Sequence, residues 1–210
     1  MKARIFNVSG PYAVGKDSVL NDLVREFEPQ VHRVATLTTR PVDSIADPTY
    51  THADPEEFRR IVDSGRWIFN KQLSGETAYA TNLDEIDSAI DKGLVCIHSI
   101  YAGDAGAGEL KRNYGSRLFS IALIPPGDSI SDQFTELEAR LLKRNRDDTR
   151  ALRLRTSHQK EPLEYINSQP EIVTEDGQRH HVFDEVLVNS DLAETIRDAR
   201  EIFFRKCIDG

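Results

Sequence analysis

Apolar positions along this chain alternate between two rhythms. A short continuous run, "ARIFNVSG", ends in glycine, and in the following "GKDSVLNDLVREF" the residues Val19, Leu20, Leu23, Val24 and Phe27 return at helical spacing. The pair predicts a strand, a loop and a helix. The run "RVATLTTR" predicts a further strand and leads into the turn-rich "PVDSIADPTY". In "DPEEFRRIVDSG", Asp54 is placed to cap a helix, Pro55 suits its first position, Glu57 completes a capping box and Gly65 can end it. "TNLDEIDSAIDKG" repeats this logic, with Asn82 and Glu85 at the start and Gly93 at the stop.

Two runs, "GLVCIHSI" and "SRLFSIALIPP", read as buried strands, with a flexible loop and a helix start in the glycine-bearing "AGDAGAGEL" between them. A charged helical segment is expected from about Thr135 to Tyr165. A polar insertion, "EIVTEDGQRHH", precedes "VFDEVLVNSDLAETIRDAREIF", a last strand and a capped amphipathic helix. Strands alternating with helices predict an α/β fold with a mainly parallel sheet covered on both faces.

At 210 residues, 39% of them hydrophobic and 30% charged, the chain is expected to form one domain with embedded subdomains. It shows no signal-peptide pattern and no apolar run near the roughly 18 residues that span a bilayer, so a cytoplasmic protein without membrane contact is expected, as monomer or homodimer. Cys96 and Cys207 are far apart and lack a CxxC spacing, which suits reduced structural thiols. His180 and His181 have no third spaced ligand and are expected at the surface. A net charge of -8 argues against nucleic-acid partners, so any polyanion must meet a local basic patch.

The stretch "SGPYAVGKDS" supplies such a patch. Gly10 and Gly15 let the backbone turn so that successive N–H groups, and the N-terminus of the following helix, point at phosphate oxygens, with Lys16 reaching the outer phosphates. The loop after a strand and before a helix predicts an ATP phosphate site built from Gly10, Tyr12, Ala13, Val14, Gly15, Lys16, Asp17 and Ser18. In ordinary phosphate loops the hydroxyl after the lysine binds Mg²⁺. Here Asp17 stands in that place, a hard oxygen ligand for a hard cation, and Ser18 follows as a second metal-site residue.

The pieces "SGPYAVGKDSVL", "TLTTRP", "PTY", "DPEEFRRIVDSGRWI", "SGETAYAT", "IALIPP", "ARLLKRNRDD" and "VFDEVLVNSDLAETIRDAREI" together resemble the guanylate kinase family over nearly the whole chain. The resemblance implies a P-loop kinase fold with ATP and Mg²⁺, made of a core (1–35, 83–126 and 166–210), an acceptor-binding subdomain (36–82) and a lid (about 127–165). It places Thr36, Arg40, Tyr50, Tyr79 and Thr81 at the acceptor, where a guanidinium and two phenols suit a phosphate carried on a small molecule. Arginines crowd into the lid segment, and the resemblance carries catalytic roles onto Arg144, Arg153 and Arg140 beside Lys16, since phosphoryl transfer needs cations that arrive as the site closes.

The chain also departs from the family. Guanine is ordinarily read by a glutamate after the "DPEEF" helix and an aspartate at the end of the third strand; the matching "WIFNKQLSG" and "CIHSIYAG" carry no carboxylate, and a second arginine beyond "TTR" aligns with Asp43. Strict GMP specificity is therefore not expected, and Asn70, Gln72, His98 or Ser99 are candidate replacements for the lost contacts. The loop "GKDS" also resembles that of ribose 1,5-bisphosphate phosphokinase, which makes a phosphorylated sugar an alternative acceptor. A catalytically silent guanylate-kinase-like binding module is the alternative of another class, disfavoured by retention of Lys16 and the lid arginines. The expected activity is ATP-dependent phosphoryl transfer to the phosphate of a small phosphorylated acceptor.

Overall fold

The first apolar run forms β1 (Ile5–Ser9), buried along its whole length, and the helical rhythm after it forms α1 (Lys16–Phe27). This computed structural model describes residues 2–41, 49–73, 77–143 and 160–209. β1 lies at the centre of a five-stranded sheet with β2 (Val31–Arg33), β7 (Val95–His98), β8 (Leu118–Ile124) and β11 (Glu185–Val188). Their order is β11-β8-β1-β7-β2 and every pairing is parallel. A strand covered on both faces needs apolar residues at successive positions, which is why these segments read as continuous runs and not as alternations.

α1 turns Val19, Leu20 and Leu23 onto the sheet, and α7 (Leu192–Phe203), capped by the Asp191 carboxylate at Glu194 N, brings Ala199, Ile202 and Phe203 beside it. Phe6 and Phe203 meet edge to face at 5.2 Å. Each such buried ring contributes about 1.5–3 kcal/mol of burial. Across the two helices Arg200 forks onto the buried carboxylate of Asp22, with Nη2 to Oδ2 at 2.7 Å and Nε to Oδ2 at 3.1 Å. On the opposite flank Lys111, from α4 (Glu109–Tyr114), is fully buried and donates to Asp184 Oδ2 at 2.8 Å and to the Leu118 carbonyl at 3.0 Å.

A second sheet holds β3 (Thr36–Thr38), β4 (Tyr50–His52), β5 (Trp67–Leu73) and β6 (Thr77–Asn82), in the order β4-β3-β6-β5. β3 and β4 are parallel; the other two pairings are antiparallel. α2 (Pro55–Val62) covers it and gives it a small core of Leu37, Phe58, Ala78 and Ala80. The run expected as one strand, "RVATLTTR", is thus divided between the two sheets. Glu85, the second residue of the expected capping box of α3 (Leu83–Asp91), has turned to this division: its Oε1 lies 2.7 Å from His32 Nε2 and accepts from Ala35 N, while Asn82 alone caps the helix. Asp54 caps α2 as expected.

The expected flexible loop at "AGDAGAGEL" is instead a packed π-helical turn, Asp104–Gly108, running into α4. A Cβ at Gly106 would stand 2.3 Å from the Tyr101 carbonyl oxygen, so the turn closes around Tyr101 only with glycine there. The long helical segment resolves into α5 (Ile130–Lys143) and α6 (Lys160–Asn167), with residues 144–159 outside the described ones. The polar insertion is a two-stranded ladder of β9 (Glu171–Val173) and β10 (Arg179–His181). Both thiols are buried, and burial pushes Cys96 and Cys207 up to about 12, which leaves them unreactive. Among the described residues no helix is long and apolar enough to cross a membrane, and no group of three histidine, cysteine or acidic residues is placed to hold a metal.

Candidate active site

The glycine loop leaves the carboxyl end of β1 and closes over the N-terminus of α1, the edge at which open parallel sheets bind ligands. Gly10 and Gly15 both have positive φ, 150° and 101°, and Ala13 joins them at 62°. A Cβ on Gly10 would stand 2.4 Å from the Leu123 carbonyl oxygen, so glycine is what lets the loop lie flat against β8. Lys16 curls back over the loop and donates to the Gly10 and Pro11 carbonyls at 2.9 and 2.8 Å. Val14 turns its side chain into the core and contributes only its backbone.

One cavity opens from this loop. Gly10, Tyr12, Ala13, Gly15, Lys16, Asp17 and Ser18 line one end, and Thr36, Thr49, Tyr50 and Tyr79 from the second sheet line the other. Between them stand Arg33, His98, Ser99, Ile100 and Tyr101 at the carboxyl ends of β2 and β7, with Pro162 of α6. The fold therefore brings together loop residues and second-sheet residues that are 18 to 69 positions apart in the chain. Tyr50 and Tyr79 approach each other at 6.4 Å between ring centroids, and the Arg40 guanidinium lies 5.8 Å from the Tyr50 ring. The Arg40 backbone is pinned by its own N–H to Thr38 Oγ1 at 3.0 Å and by a 2.7 Å contact of its carbonyl with His52 Nδ1.

Thr36 lines the cavity, whereas Thr81 is fully buried behind the wall, its hydroxyl 2.9 Å from His98 Nε2. His98, 1% exposed, is pushed down to about 3: burial disfavours the imidazolium, the Arg33 charge adds to this, and the Val34 backbone opposes it least of the three. The ring is neutral at any ordinary pH. Burial, and then the Glu161 carboxylate, raise the Tyr101 phenol, so it stays a neutral donor. Phe69, in the segment "WIFNKQLSG", packs edge-on against Phe58 at 6.1 Å. Among the described residues that line the cavity, Asp17 supplies the one carboxylate.

A second, more open hollow flanks the other side of the loop, lined by Ala13, Gly15, Arg140, Lys143, Asn189, Ser190 and Leu192. Arg140 Nε is held by Glu136 at 2.7 Å and its Nη2 by the Asn189 carbonyl at 2.7 Å. Arg144 and Arg153 lie outside the described residues. Asn189, just after β11, carries no mark in the sequence pattern, where it reads as one of two polar residues before the Asp191 helix cap. His98 was marked only as a substitute for a missing acid.

The donor set fits a triphosphate and its metal. The loop backbone is an anion cradle held close against Leu123 and Asn189, where a Cβ at Gly10 or Gly15 would clash, and Lys16, Asp17 and Ser18 offer an ammonium and hard oxygen donors on the same wall.

No family model matches the chain. Full-length similarity to curated proteins is nonetheless extensive. A guanylate kinase of Porphyromonas gingivalis is 24% identical over 200 residues, covering 94% of this chain and 95% of its own. A guanylate kinase of Prochlorococcus marinus is 26% identical over 200 residues, covering 95% and 96%. Among solved structures, guanylate kinase from Anaplasma phagocytophilum superposes with a TM-score of 0.64 at 20% identity, covering 99% of this chain and 87% of that one, and shares the fold. With a glycine loop on a parallel sheet, this chain is similar from end to end to curated guanylate kinases and shares the fold of a solved one.

Proposed function

We propose that this protein transfers the terminal phosphoryl group of ATP to the phosphate of a nucleoside monophosphate, with GMP the first acceptor to test. The observation that carries the reading is the single cavity that joins Lys16, Asp17 and Ser18 at one end to Tyr50 and Tyr79 at the other. Phosphoryl transfer demands two bound phosphates in line and little covalent chemistry from the protein. A cavity with a phosphate cradle at each end meets that demand.

In this reading the loop N–H groups and Lys16 hold the donor phosphates, Lys16 exchanging the Gly10 and Pro11 carbonyls for phosphate oxygens. Asp17 and Ser18 hold Mg²⁺, which when bound supplies Lewis-acid neutralisation of the phosphate charge. Arg40, Tyr50 and Tyr79 grip the acceptor phosphate, with Thr36 beside its base; Thr81, buried behind the wall, reaches the site only through His98. Arg140 stands over the hollow beside the loop, where the nucleoside end of ATP leaves the cradle, and Arg144 and Arg153 complete the charge that meets the transferring group. The second sheet is the acceptor-binding subdomain and the α5–α6 region the lid.

A relaxed acceptor base is the second reading, favoured by the neutral His98 and by Phe69, in segments where family members carry acids. Neither a phenyl ring nor a neutral imidazole can take both N–H bonds of guanine as a carboxylate does. The test is an acceptor panel under saturating ATP and Mg²⁺: the nucleoside monophosphates, their deoxy forms and ribose 1,5-bisphosphate. Turnover of a nucleoside monophosphate is expected. A GMP preference above about a thousandfold would remove the relaxed reading, preferred turnover of the sugar bisphosphate would replace the acceptor, and no turnover of any compound would sink the kinase.

A further inference from the structure

The Asn189 side chain is 3% exposed, and every polar group it offers is engaged across a different element. Its Nδ2 donates to the Val14 carbonyl of the phosphate loop at 2.7 Å. Its Oδ1 accepts from Thr195 Oγ1, in the first turn of α7, at 3.1 Å. Its backbone N–H donates to the carbonyl of Ile124, the last residue of β8, at 2.8 Å, and its carbonyl accepts from Arg140 Nη2 of α5 at 2.7 Å. A Cβ on Gly15 would stand 2.7 Å from Nδ2, so loop and amide are in closer contact than any residue but glycine permits.

The peptide between Val14 and Gly15 is planar and trans, which sets its carbonyl and its N–H on opposite sides. A hand that holds the Val14 carbonyl toward Asn189 therefore turns the Gly15 N–H the other way, toward the cradle. Without that bond the peptide is free to rotate and present an oxygen to an anion. The same residue takes the Arg140 guanidinium, which Glu136 aligns from below. Four elements converge on one residue, its backbone held by β8 and Arg140 and its side-chain amide joining α7 to the loop, and what that amide fixes is the orientation of a single donor in the loop.

We infer that Asn189 is a positioning residue for the donor nucleotide: it sets the Val14–Gly15 peptide in the anion-accepting orientation and ties that orientation to Arg140 on α5. The inference rests on the phosphotransferase reading above. A plug that merely fills space between α7 and the loop would support stability but not single out one substrate. A peptide-orienting residue acts on ATP and leaves the acceptor end, across the cavity, untouched.

The experiment is calorimetric titration of the full chain with ATP in Mg²⁺ and, separately, with GMP, for wild type, Asn189→Ala, Asn189→Asp and Thr195→Val, with thermal melting alongside. Asn189→Asp keeps the shape and converts the donor into an acceptor facing the Val14 carbonyl, so it remains informative should the alanine variant fail to fold. Asn189→Ala is expected to weaken ATP about tenfold, the effect of one hydrogen bond. Asn189→Asp should weaken it at least as much, and Thr195→Val, which loosens the amide without removing it, by about threefold. GMP affinity should stay within about twofold. Variants that melt lower yet bind ATP like wild type overturn the inference, as does a parallel loss of ATP and GMP. A wild-type chain that binds no ATP overturns the kinase reading and the inference with it, whereas wild-type binding with unaffected variants overturns the inference alone.

Discussion

The Lys16 ammonium lies 2.8 Å from the Pro11 carbonyl and 2.9 Å from that of Gly10, folded back on the loop from which it springs. These are replaceable neutral partners, and a triphosphate offers the same ammonium charged oxygens. Lys16→Ala should therefore lower the rate of transfer by about a hundredfold or more, the scale of losing one transition-state donor. Its melting temperature should stay close to wild type, because the side chain is not part of the core. Near-normal turnover by a folded variant would refute the assignment.

Asp17 is exposed in the first turn of α1 and lines the cavity beside Lys16. If it holds Mg²⁺, Asp17→Ser restores a hydroxyl ligand and keeps part of the activity, while Asp17→Lys repels the ion. The lysine variant should lose about a hundredfold or more in rate, since bound metal supplies several kcal/mol. Titration of activity against Mg²⁺ checks it: a lysine variant with an unchanged Mg²⁺ requirement would assign the metal elsewhere.

The Arg40 guanidinium lies over the ring of Tyr50, which lines the far end of the cavity. Arg40→Ala should raise the acceptor KM by about tenfold to a hundredfold, as charge-assisted hydrogen bonds contribute about 1.5–3 kcal/mol, with ATP affinity unchanged. Arg40→Lys should recover little, because an ammonium does not reproduce the planar fork. Equal effects on both substrates would place Arg40 outside the acceptor site.

The neutral His98 has a measurable signature. Its pKa is about 3 in the folded chain against 6.5 ordinarily, so between these values the unfolded state binds one more proton than the folded state. Its contribution to stability is complete above pH 6.5 and falls by about 1.4 kcal/mol for each unit of acidification until the folded ring itself protonates near 3. Urea unfolding of wild type and His98→Gln at pH 7 and 5 should show wild type losing about 2 kcal/mol more than the variant over that span. Parallel losses would mean that the ring is protonated, or solvated, in the folded protein.

Much of the outline was legible because it is local. The β1–loop–α1 unit follows from an apolar run, two glycines and a helical rhythm; the caps at Asp54, Asn82 and Asp191 lie within three residues of the N–H groups they satisfy. Such signals act along a few residues of backbone, where sequence separation and spatial separation are nearly the same. The run "RVATLTTR" was misread as one strand for the complementary reason: what breaks it is Glu85, fifty residues on, which accepts from Ala35 N.

The α/β order of elements, the phosphate loop and the residue types able to face an anion can all be read along the chain. How they meet is set by packing between distant segments. That Thr81 backs onto His98 instead of lining the wall, that an isolated histidine loses its charge, and that Asn189 holds the Val14 carbonyl are results of burial and of contacts between segments up to 175 residues apart. Hydrophobic pattern records whether a position is buried. It carries no record of which polar group is buried with it, and that pairing sets the charge of His98 and the aim of the loop.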